Sequence, residues 1–254
     1  MAGVERHGAF DPGWRLALAL AAFALGVSCA PVRAVADEPP LPPPRPPEFG
    51  APAKAPEPPP PAPAAPKEDA ASTCLAKLIA DGASAEAAAA PPASAEGCGI
   101  DAPIRLSSII ADGGAVSLPD RPLIACEFAA VLADYVRLIV APLGEATLHA
   151  KVAAIETGPG YDCRTQDRVA GAKISAHAKG LAVDFMAITL ADKRRILVDR
   201  QTGADEASYF RAIRTAACGW FTTVLGPGAD AFHANNMHLD IEPHGSSASY
   251  RICQ

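Results

Sequence analysis

The sequence predicts an α+β fold, with a mainly antiparallel sheet and flanking helices, in the second part of the chain. Helical and strand patterns mix there without the regular strand–helix–strand alternation of parallel α/β folds. Six of the seven cysteines lie between residues 74 and 253. A proline-rich stretch separates this part from the start of the chain. Together these observations indicate one disulfide-stapled domain behind a flexible extension.

The first residues have the pattern of an export signal. Residues 16–27 form a continuous apolar run, shorter than the roughly 20 residues needed to cross a bilayer. Residues 34–36, AVA, then give the small-residue pattern that signal peptidase cleaves. We therefore expect a signal peptide over residues 1–36, a periplasmic or secreted protein, and no transmembrane span in the mature chain. An uncleaved anchor is the alternative, and a lipid-modified Cys29 is less favoured.

Residues 37–69 are dominated by proline and alanine. Proline at this density forms neither a helix nor a central strand and favours extended polyproline II. We expect a disordered, semi-rigid linker that spans about 3 Å per residue. An inert spacer is the favoured interpretation, and a segment bound by a partner that recognises proline-rich motifs is the alternative. The folded domain is then expected over residues 70–254.

The domain is expected to open with a short helix. Residues 74–79 have apolar side chains at helical spacing, with Thr73 as a possible N-cap. Residues 84–92 are alanine-rich and then broken by two prolines, which indicates a surface excursion. Strands are expected over residues 104–110 and 115–118, because both runs flank the turn sequence ADGG.

The strongest helical pattern covers residues 123–141, with apolar side chains on one face, and Pro142 should end it. Residues 152–155 predict a short strand. The strand leads into the glycine-rich loop 158–160, which delivers the sequence YDCR at residues 161–164.

The last third of the chain alternates strands with one helix. A strand is expected over residues 181–188, with residues 195–198 pairing to it as a hairpin. Residues 207–220 predict a second amphipathic helix. The last strands are expected over residues 237–242 and 250–253.

Removal of the signal peptide leaves an even set of cysteines. Six cysteines in an exported domain predict three disulfides, and sequence alone does not choose among the possible pairings. We expect Cys74 to pair with Cys98, because the two are near each other in sequence. No pair has zinc-ribbon spacing, so a cysteine-bound metal is not expected. The six cysteines are Cys74, Cys98, Cys126, Cys163, Cys218 and Cys253.

Two motifs carry the chemistry. Asp184 lies in an apolar run of strand length, where a carboxylate is costly unless it is paired or bound to a metal. His177 precedes it across a glycine-containing turn. His238 begins the sequence HLD, which places His238 and Asp240 on one face of a strand. His177, Asp184 and His238 are therefore expected to bind zinc and to leave a fourth position for water. A buried His–Asp pair with a structural role is the alternative.

These residues carry a resemblance. The pattern Ser-x-His-x-x-Gly-x-Ala-x-Asp, followed by a late strand histidine, is similar to the zinc D-Ala-D-Ala carboxypeptidases and their lysostaphin/hedgehog-like relatives. The sequences CGI at 98–100, YDCR at 161–164 and AC at 217–218, together with both motifs, resemble the bacterial extensin-like C-terminal domain. The resemblance extends over about residues 70–254 and implies a hedgehog/D-Ala-D-Ala-peptidase-like fold.

The resemblance implies an exported zinc metallopeptidase that hydrolyses peptide bonds in the stem or cross-link peptides of peptidoglycan. In the carboxypeptidases an arginine before the Ser-x-His motif binds the terminal carboxylate of the peptide, which implies substrate binding by Arg164. A planar guanidinium grips a carboxylate with two hydrogen bonds. A surface salt bridge is the alternative for Arg164. Ser175 and Tyr161 are further candidates for substrate contact, and the alternatives are a turn-holding hydroxyl and a packing ring.

The catalytic base departs from the pattern of the relatives. The carboxypeptidases have glutamate three residues before the last zinc histidine, and the hedgehog-like relatives have histidine two residues before it. Asn235 and Asn236 stand there in this chain, and asparagine does not accept a proton at neutral pH. His233 and Asp240 are the candidate replacements, although Asp240 is also placed to orient His238.

Two functions of other classes stay open. One is a catalytically inactive, metal-containing cell-wall binding module, and the other is a disulfide-stapled structural or interaction domain without a metal. The net charge of −6 argues against nucleic acid and anionic membrane surfaces as partners. The expected partners are peptidoglycan peptides, and the sequence leaves the oligomeric state open.

Overall fold

A computed structural model describes residues 67–245 and 250–254 of the chain. The predicted signal peptide over residues 1–36 lies outside the described residues, as does the predicted linker up to residue 66. The first described helix begins at Lys67. Residues 67–69 are part of this helix.

The described residues of the domain form four α-helices and eleven strands. The helices are α1 (Lys67–Ala80), α2 (Cys126–Tyr135), α3 (Ala141–Leu148) and α4 (Ala204–Ala217), and the π-helical segment Val136–Val140 joins α2 to α3. The first strands are β1 (Ala83–Ala87), β2 (Pro103–Ala111), β3 (Gly114–Ser117), β4 (Leu123–Ala125), β5 (Val152–Glu156) and β6 (Ala182–Phe185). The remaining strands are β7 (Ala187–Leu190), β8 (Arg195–Leu197), β9 (Thr223–Leu225), β10 (Met237–Asp240) and β11 (Ile252–Cys253).

These strands form two sheets. A seven-stranded sheet has the order β1-β2-β3-β5-β7-β8, with β4 also paired to β2, and a four-stranded sheet has the order β11-β9-β10-β6. Among the described strands, only the β3–β5 and β9–β11 pairs are parallel. The predicted α+β class with mainly antiparallel pairing is confirmed.

The predicted strand over residues 181–188 is two strands in different sheets. Met186 separates β6 from β7; its N–H donates to the carbonyl of Glu156, and its own carbonyl accepts from Val198. The chain thus leaves the four-stranded sheet and enters the seven-stranded sheet within one residue. The predicted hairpin of this segment with residues 195–198 is confirmed by the antiparallel β7–β8 pair.

The long helical pattern was predicted with wrong ends. Its first three residues form β4, and the helical run continues from Cys126 past Pro142 to Leu148. The π-helical segment directly before α3 departs from the α-helical hydrogen-bond pattern, so the missing N–H of Pro142 is accommodated. The run ends at His149, which has left-handed backbone angles (φ 56°).

Three smaller predictions also need correction. The surface excursion predicted over residues 84–92 is wrong in its first part, because β1 pairs with β2 as an edge strand. Only Ala83 of β1 is buried, so the sequence shows no apolar alternation there. Thr73 lies inside α1 and is not an N-cap. The helix predicted over 207–220 covers Ala204–Ala217.

Two buried tyrosines link α4 to α2 and to the π-helical segment by hydrogen bonds. The Tyr135 hydroxyl donates to the carbonyl of Ile213 at 2.8 Å, and the Tyr209 hydroxyl donates to the carbonyl of Val140 at 3.0 Å. Both side chains are fully buried, and burial raises the pKa of each phenol above its usual value. These bonds satisfy hydroxyl groups that would otherwise be costly to bury.

Three disulfides staple the domain, as predicted. They join Cys74 to Cys126, Cys98 to Cys163 and Cys218 to Cys253, with Cα atoms 6.2, 5.6 and 6.0 Å apart. The predicted pairing of Cys74 with Cys98 is wrong. Cys74 is on α1, which packs against α2, whereas the chain after β1 carries Cys98 to the loop that holds Cys163. No helix in residues 67–245 or 250–254 combines the length and apolarity required to cross a bilayer.

Candidate metal centre

The three predicted metal ligands come from three segments of the fold. His177 lies in a short 3₁₀ turn, Ala176–Lys179, that precedes β6. Asp184 on β6 is the direct antiparallel partner of His238 on β10. Gly180 ends the turn with φ +67°, and a Cβ atom there would lie 2.9 Å from the backbone nitrogen of Ala125. Glycine at this position therefore lets the turn pack closely against the backbone of Ala125.

The structure brings one atom of each residue to a common point. His177 Nε2 lies 3.2 Å from His238 Nδ1 and 3.3 Å from Asp184 Oδ1. His238 Nδ1 lies 3.1 Å from Asp184 Oδ1. Ligands about 2.0–2.1 Å from a tetrahedral zinc ion are about 3.3–3.4 Å from one another. The group, with two buried histidines and a partly exposed aspartate, therefore fits a metal of this size and could hold such an ion.

Hydrogen bonds on the far side of each ring decide which nitrogen faces that point. His177 Nδ1 is 2.8 Å from the carbonyl of Gly160, which can only accept, so Nδ1 carries the hydrogen of the neutral ring. His238 Nε2 is 3.1 Å from Asp240 Oδ2, a carboxylate oxygen that accepts, so Nε2 carries the hydrogen of this ring when it is neutral. When both rings are neutral, His177 Nε2 and His238 Nδ1 present lone pairs to Asp184. Three converging acceptors repel one another unless a proton or a metal ion lies between them.

The pKa shifts of His238 and Asp184 agree with a cation at this point. Burial disfavours a charged imidazole, but hydrogen bonds with Asp184 and Asp240 raise the pKa of His238 to about 9. Burial also disfavours a charged carboxylate, but hydrogen bonds from His177 and His238 hold the pKa of Asp184 well below its usual range. The environment therefore stabilises positive charge between these side chains.

Asp240 holds His238 and uses both carboxylate oxygens in doing so. Oδ2 contacts the ring of His238, and Oδ1 accepts from the Thr222 hydroxyl at 2.9 Å and from the backbone N–H of Glu242 at 3.0 Å. Burial opposes its ionisation, yet these contacts keep the pKa of Asp240 below its usual value. A carboxylate whose two oxygens already accept hydrogen bonds, and whose pKa is low, suits an orienting residue better than a proton acceptor.

His233, the other candidate base, lies beside the centre. Its ring centroid is 5.5 Å from that of His238, and its side chain is 13% exposed. Its Nδ1 lies 2.8 and 2.9 Å from the two oxygens of Asp230, which leaves Nε2 as the ring nitrogen outside this pair. His233 borders a cavity of about 230 Å³ together with Asp184 and Asn236.

Arg164 is the common border of three cavities around the centre. Their volumes are about 210, 230 and 240 Å³. Its Nε lies 3.1 Å from Asp162 Oδ2, and its carbonyl accepts from the N–H of Ser175 at 3.0 Å. The neighbouring Cys163 is disulfide-bonded, so the backbone that carries Arg164 is held on both sides.

The two other residues that were predicted to touch substrate have contacts within the domain itself. Ser175 is buried, and its hydroxyl caps the 3₁₀ turn by accepting from the N–H of His177 at 3.4 Å. Tyr161 packs against the hydrophobic core, and its buried hydroxyl has no hydrogen-bond partner within the described part of the chain.

Three residues near the centre were missed by the sequence reasoning. Arg168 shares Asp162 with Arg164, Asp230 binds His233, and Thr222 binds Asp240. Asp230 lies three residues before His233, a spacing that the sequence does show. The others become neighbours only through the fold.

Comparison with known proteins gives one match. A family model described as extensin-like protein C-terminus matches residues 72–254. Searches of curated proteins and of solved structures found no match. The matched span contains the three candidate ligands and all six cysteines of the domain. With most of its length matched, the chain belongs to the extensin-like protein C-terminus family.

Proposed function

We propose that the protein is an exported, zinc-dependent hydrolase of peptide bonds in peptidoglycan stem or cross-link peptides. The observation that carries the proposal is the convergence of two imidazole lone pairs and one carboxylate oxygen, 3.1–3.3 Å apart, at the edge of a cleft bordered by an arginine. The Asp184 side chain is 32% exposed, so the group opens toward this cleft.

The donor set supports zinc. Zinc in hydrolytic sites takes three protein ligands from histidine and carboxylate side chains and keeps a fourth position open. When bound in such a site, zinc lowers the pKa of a water ligand to about 7 and polarises the substrate carbonyl. His177, Asp184 and His238 are the ligands in this proposal.

The other site residues have assigned roles in the proposal. Arg164 binds a carboxylate of the peptide through its guanidinium N–H groups. His233 holds or releases a proton at Nε2, with its ring orientation fixed by Asp230. Asp240, the second candidate base, keeps His238 in the tautomer whose Nδ1 lone pair faces the ligand group.

The three disulfides support a location outside the reducing cytosol, since such bonds persist in oxidising compartments. A periplasmic or secreted protein would meet peptidoglycan there. The substrate assignment also draws on the resemblance to the D-Ala-D-Ala carboxypeptidases.

A metal-containing binding module without turnover is the second candidate. Asn236 favours it, because this amide borders the cavity beside Asp184 where the related peptidases place a proton acceptor. In this alternative the metal and Arg164 bind the peptide, and His233 has no catalytic role.

Elemental analysis of the purified, oxidised protein, followed by digestion of isolated peptidoglycan, tests the proposal. We expect one zinc ion per chain and release of D-alanine or of cleaved stem peptides. Zinc without product would support the binding module. Absence of zinc after reconstitution would contradict both metal-dependent functions.

A further inference from the structure

We infer that a second binding site lies on the other face of the four-stranded sheet, in a cavity that takes a single-chain amphiphile with a carboxylate head, such as a fatty acid. The cavity has a volume of about 520 Å³, more than twice that of each cavity around the metal centre. Small-molecule sites typically have volumes of about 300–1,000 Å³. The inference goes beyond the proposed function and depends neither on the metal nor on hydrolysis.

The cavity and the metal centre lie on opposite faces of the same sheet. Successive side chains of a strand point to opposite faces. In β10, Met237 lines the cavity, whereas His238 belongs to the metal centre. In β9, Val224 lines the cavity, whereas Thr223 and Leu225 border a cavity at the metal centre. A ligand in the second site would therefore not occupy the position of a peptide at the metal centre.

The inner wall of the cavity is apolar. Four segments of the fold contribute one side chain each: Val198 after β8, Phe210 on α4, Val224 on β9 and Met237 on β10. All four belong to the hydrophobic core, so the wall is continuous with it. An apolar chain that covers such a wall leaves water, and the gain in binding free energy grows with the apolar area buried.

The outer wall carries positive charge. Arg211 and Arg214 are three residues apart on α4, hence on one side of the helix, and both line the cavity. No aspartate or glutamate of the described chain lines it. Even with Gln254 counted as a terminal carboxylate, the two arginines leave one positive charge in excess. The outer wall therefore complements an anionic group.

The two arginines differ in their partners. Arg214 Nε donates to an oxygen of Gln254 at 3.1 Å, and its Nη1 donates to the carbonyl of Pro227 at 3.0 Å, which fixes this guanidinium. Arg211 is exposed, and its guanidinium has no hydrogen bond or ion pair with any residue in the described part of the chain. A guanidinium has five N–H donors and can grip a carboxylate with two parallel hydrogen bonds. Arg211 is thus the main ligand of the head group, beside an Arg214 that keeps unused donors.

The two walls together select an amphiphile. A short carboxylate would bind the arginines but leave the apolar wall in contact with water. A neutral alkyl chain would cover the apolar wall but make no charge-assisted hydrogen bond to Arg211. A long-chain carboxylate satisfies both walls at once.

Calorimetric titration of the purified full chain with octanoate, decanoate and octan-1-ol tests the inference. We expect decanoate to bind about tenfold more tightly than octanoate, because two further CH₂ groups are buried. Octanoate should bind about tenfold more tightly than octan-1-ol, because only the carboxylate makes charge-assisted hydrogen bonds. Decanoate affinity should be the same with and without a zinc chelator.

Two variants with matched controls locate the binding. Arg211→Gln should weaken octanoate about tenfold and leave octan-1-ol unchanged. Arg105→Gln is its control, because Arg105 is also exposed and has no ion pair among the described residues. Ala207→Trp should fill the cavity and abolish decanoate binding. Ser208→Trp is its control, because Ser208 is exposed on the same helix and does not line the cavity.

Equal affinities for octanoate and octan-1-ol, or for octanoate and decanoate, would overturn the inference. Decanoate affinity that stays unchanged in both Arg211→Gln and Ala207→Trp would overturn it too, because the ligand would then bind elsewhere. Binding that disappears with the chelator would place the carboxylate at the metal centre and contradict a second site. Failure of the hydrolase is a separate result, since none of these measurements requires turnover.

Discussion

At the residue scale, the partner of each histidine ring decides which nitrogen is available to a metal. The carbonyl of Gly160 and the carboxylate of Asp240 are acceptors, so each keeps the single hydrogen of a neutral ring away from the shared point. These partners are as much a part of the centre as the ligands themselves.

We predict that Asp240→Asn weakens zinc binding about 10–100-fold without loss of a ligand. An asparagine amide can donate to His238 Nε2, which would place the ring hydrogen on Nδ1, facing the metal. Competition of the protein with a zinc chelator measures the effect. Asp199→Asn, a change at a carboxylate paired with Arg200, should leave zinc affinity unchanged. Equal affinities of Asp240→Asn and wild type would contradict the orienting role.

We predict that zinc binding at neutral pH releases about one proton from the site. The folded-state pKa of His238 is raised to about 9, so in the metal-free protein the ring carries a proton below that pH. A metal ion must displace this proton, and zinc affinity should therefore fall as pH decreases below about 9. Calorimetry in buffers of different ionisation enthalpy counts the protons. Affinity that is constant between pH 6 and 8 would disagree with this coupling.

At the element scale, the sequence predicts features that are local in the chain but not contacts between segments that are far apart in it. The candidate ligand group could be predicted because a carboxylate in an apolar strand and a histidine at a strand start are local features. Arg168 and Thr222 could not, since their partners Asp162 and Asp240 are fixed by the course of separate loops and strands. The change of sheet at Met186 is likewise invisible in an unbroken apolar run.

The loop before the Ser-x-His motif gives an element-scale prediction. Gly160 has φ +80°, and a Cβ atom there would lie 2.6 Å from the carbonyl of Leu123. Gly171 has φ +78° with no atom within 4 Å of such a Cβ. Both alanine variants carry left-handed strain of roughly 1–2 kcal/mol, but only Gly160→Ala also meets a backbone clash.

We therefore expect Gly160→Ala to lower the free energy of unfolding by more than Gly171→Ala does, and to lower zinc content as well. The second effect follows because the Gly160 carbonyl holds His177. Urea unfolding and metal analysis of both variants provide the comparison. If the two alanine variants were equally stable and equally loaded with zinc, the close packing of this loop would have no influence on the centre.

At the scale of the whole molecule, three cross-links enclose sequence separations of 52, 65 and 35 residues. Loops of this length reduce the entropy of the unfolded chain, and loss of a native disulfide in a small secreted domain typically costs about 2–5 kcal/mol. Every cysteine from Cys74 onward is bonded. The fold therefore depends on oxidation as well as on its core.

We predict no free thiol in the oxidised domain and a clearly lower melting temperature after reduction. Thiol titration in denaturant without reductant checks the first point, and thermal unfolding with and without reductant checks the second. The expected signal peptide removes Cys29 from the count. Two or more reactive thiols in the mature protein would contradict the three-bridge structure.

We also predict that the folded domain does not need the proline-rich segment. The described contacts of the domain begin with α1 at Lys67. Limited proteolysis should leave a stable fragment that starts close to this residue, with the same melting temperature as the longer chain. A fragment that unfolds once the preceding segment is removed would show that the boundary lies earlier.

The bridge between Cys98 and Cys163 should affect peptide binding but not metal binding. The ligands lie on β6, β10 and the turn before β6, whereas this bridge anchors the loop that carries Arg164. Disulfides do not normally persist in a reducing compartment. We therefore expect a newly made chain to bind peptides poorly until this bridge has formed. A Cys98→Ser/Cys163→Ser variant should then retain zinc but bind peptide carboxylates more weakly than the wild type. The onset of peptide binding would thus be set by oxidation of the chain rather than by its synthesis.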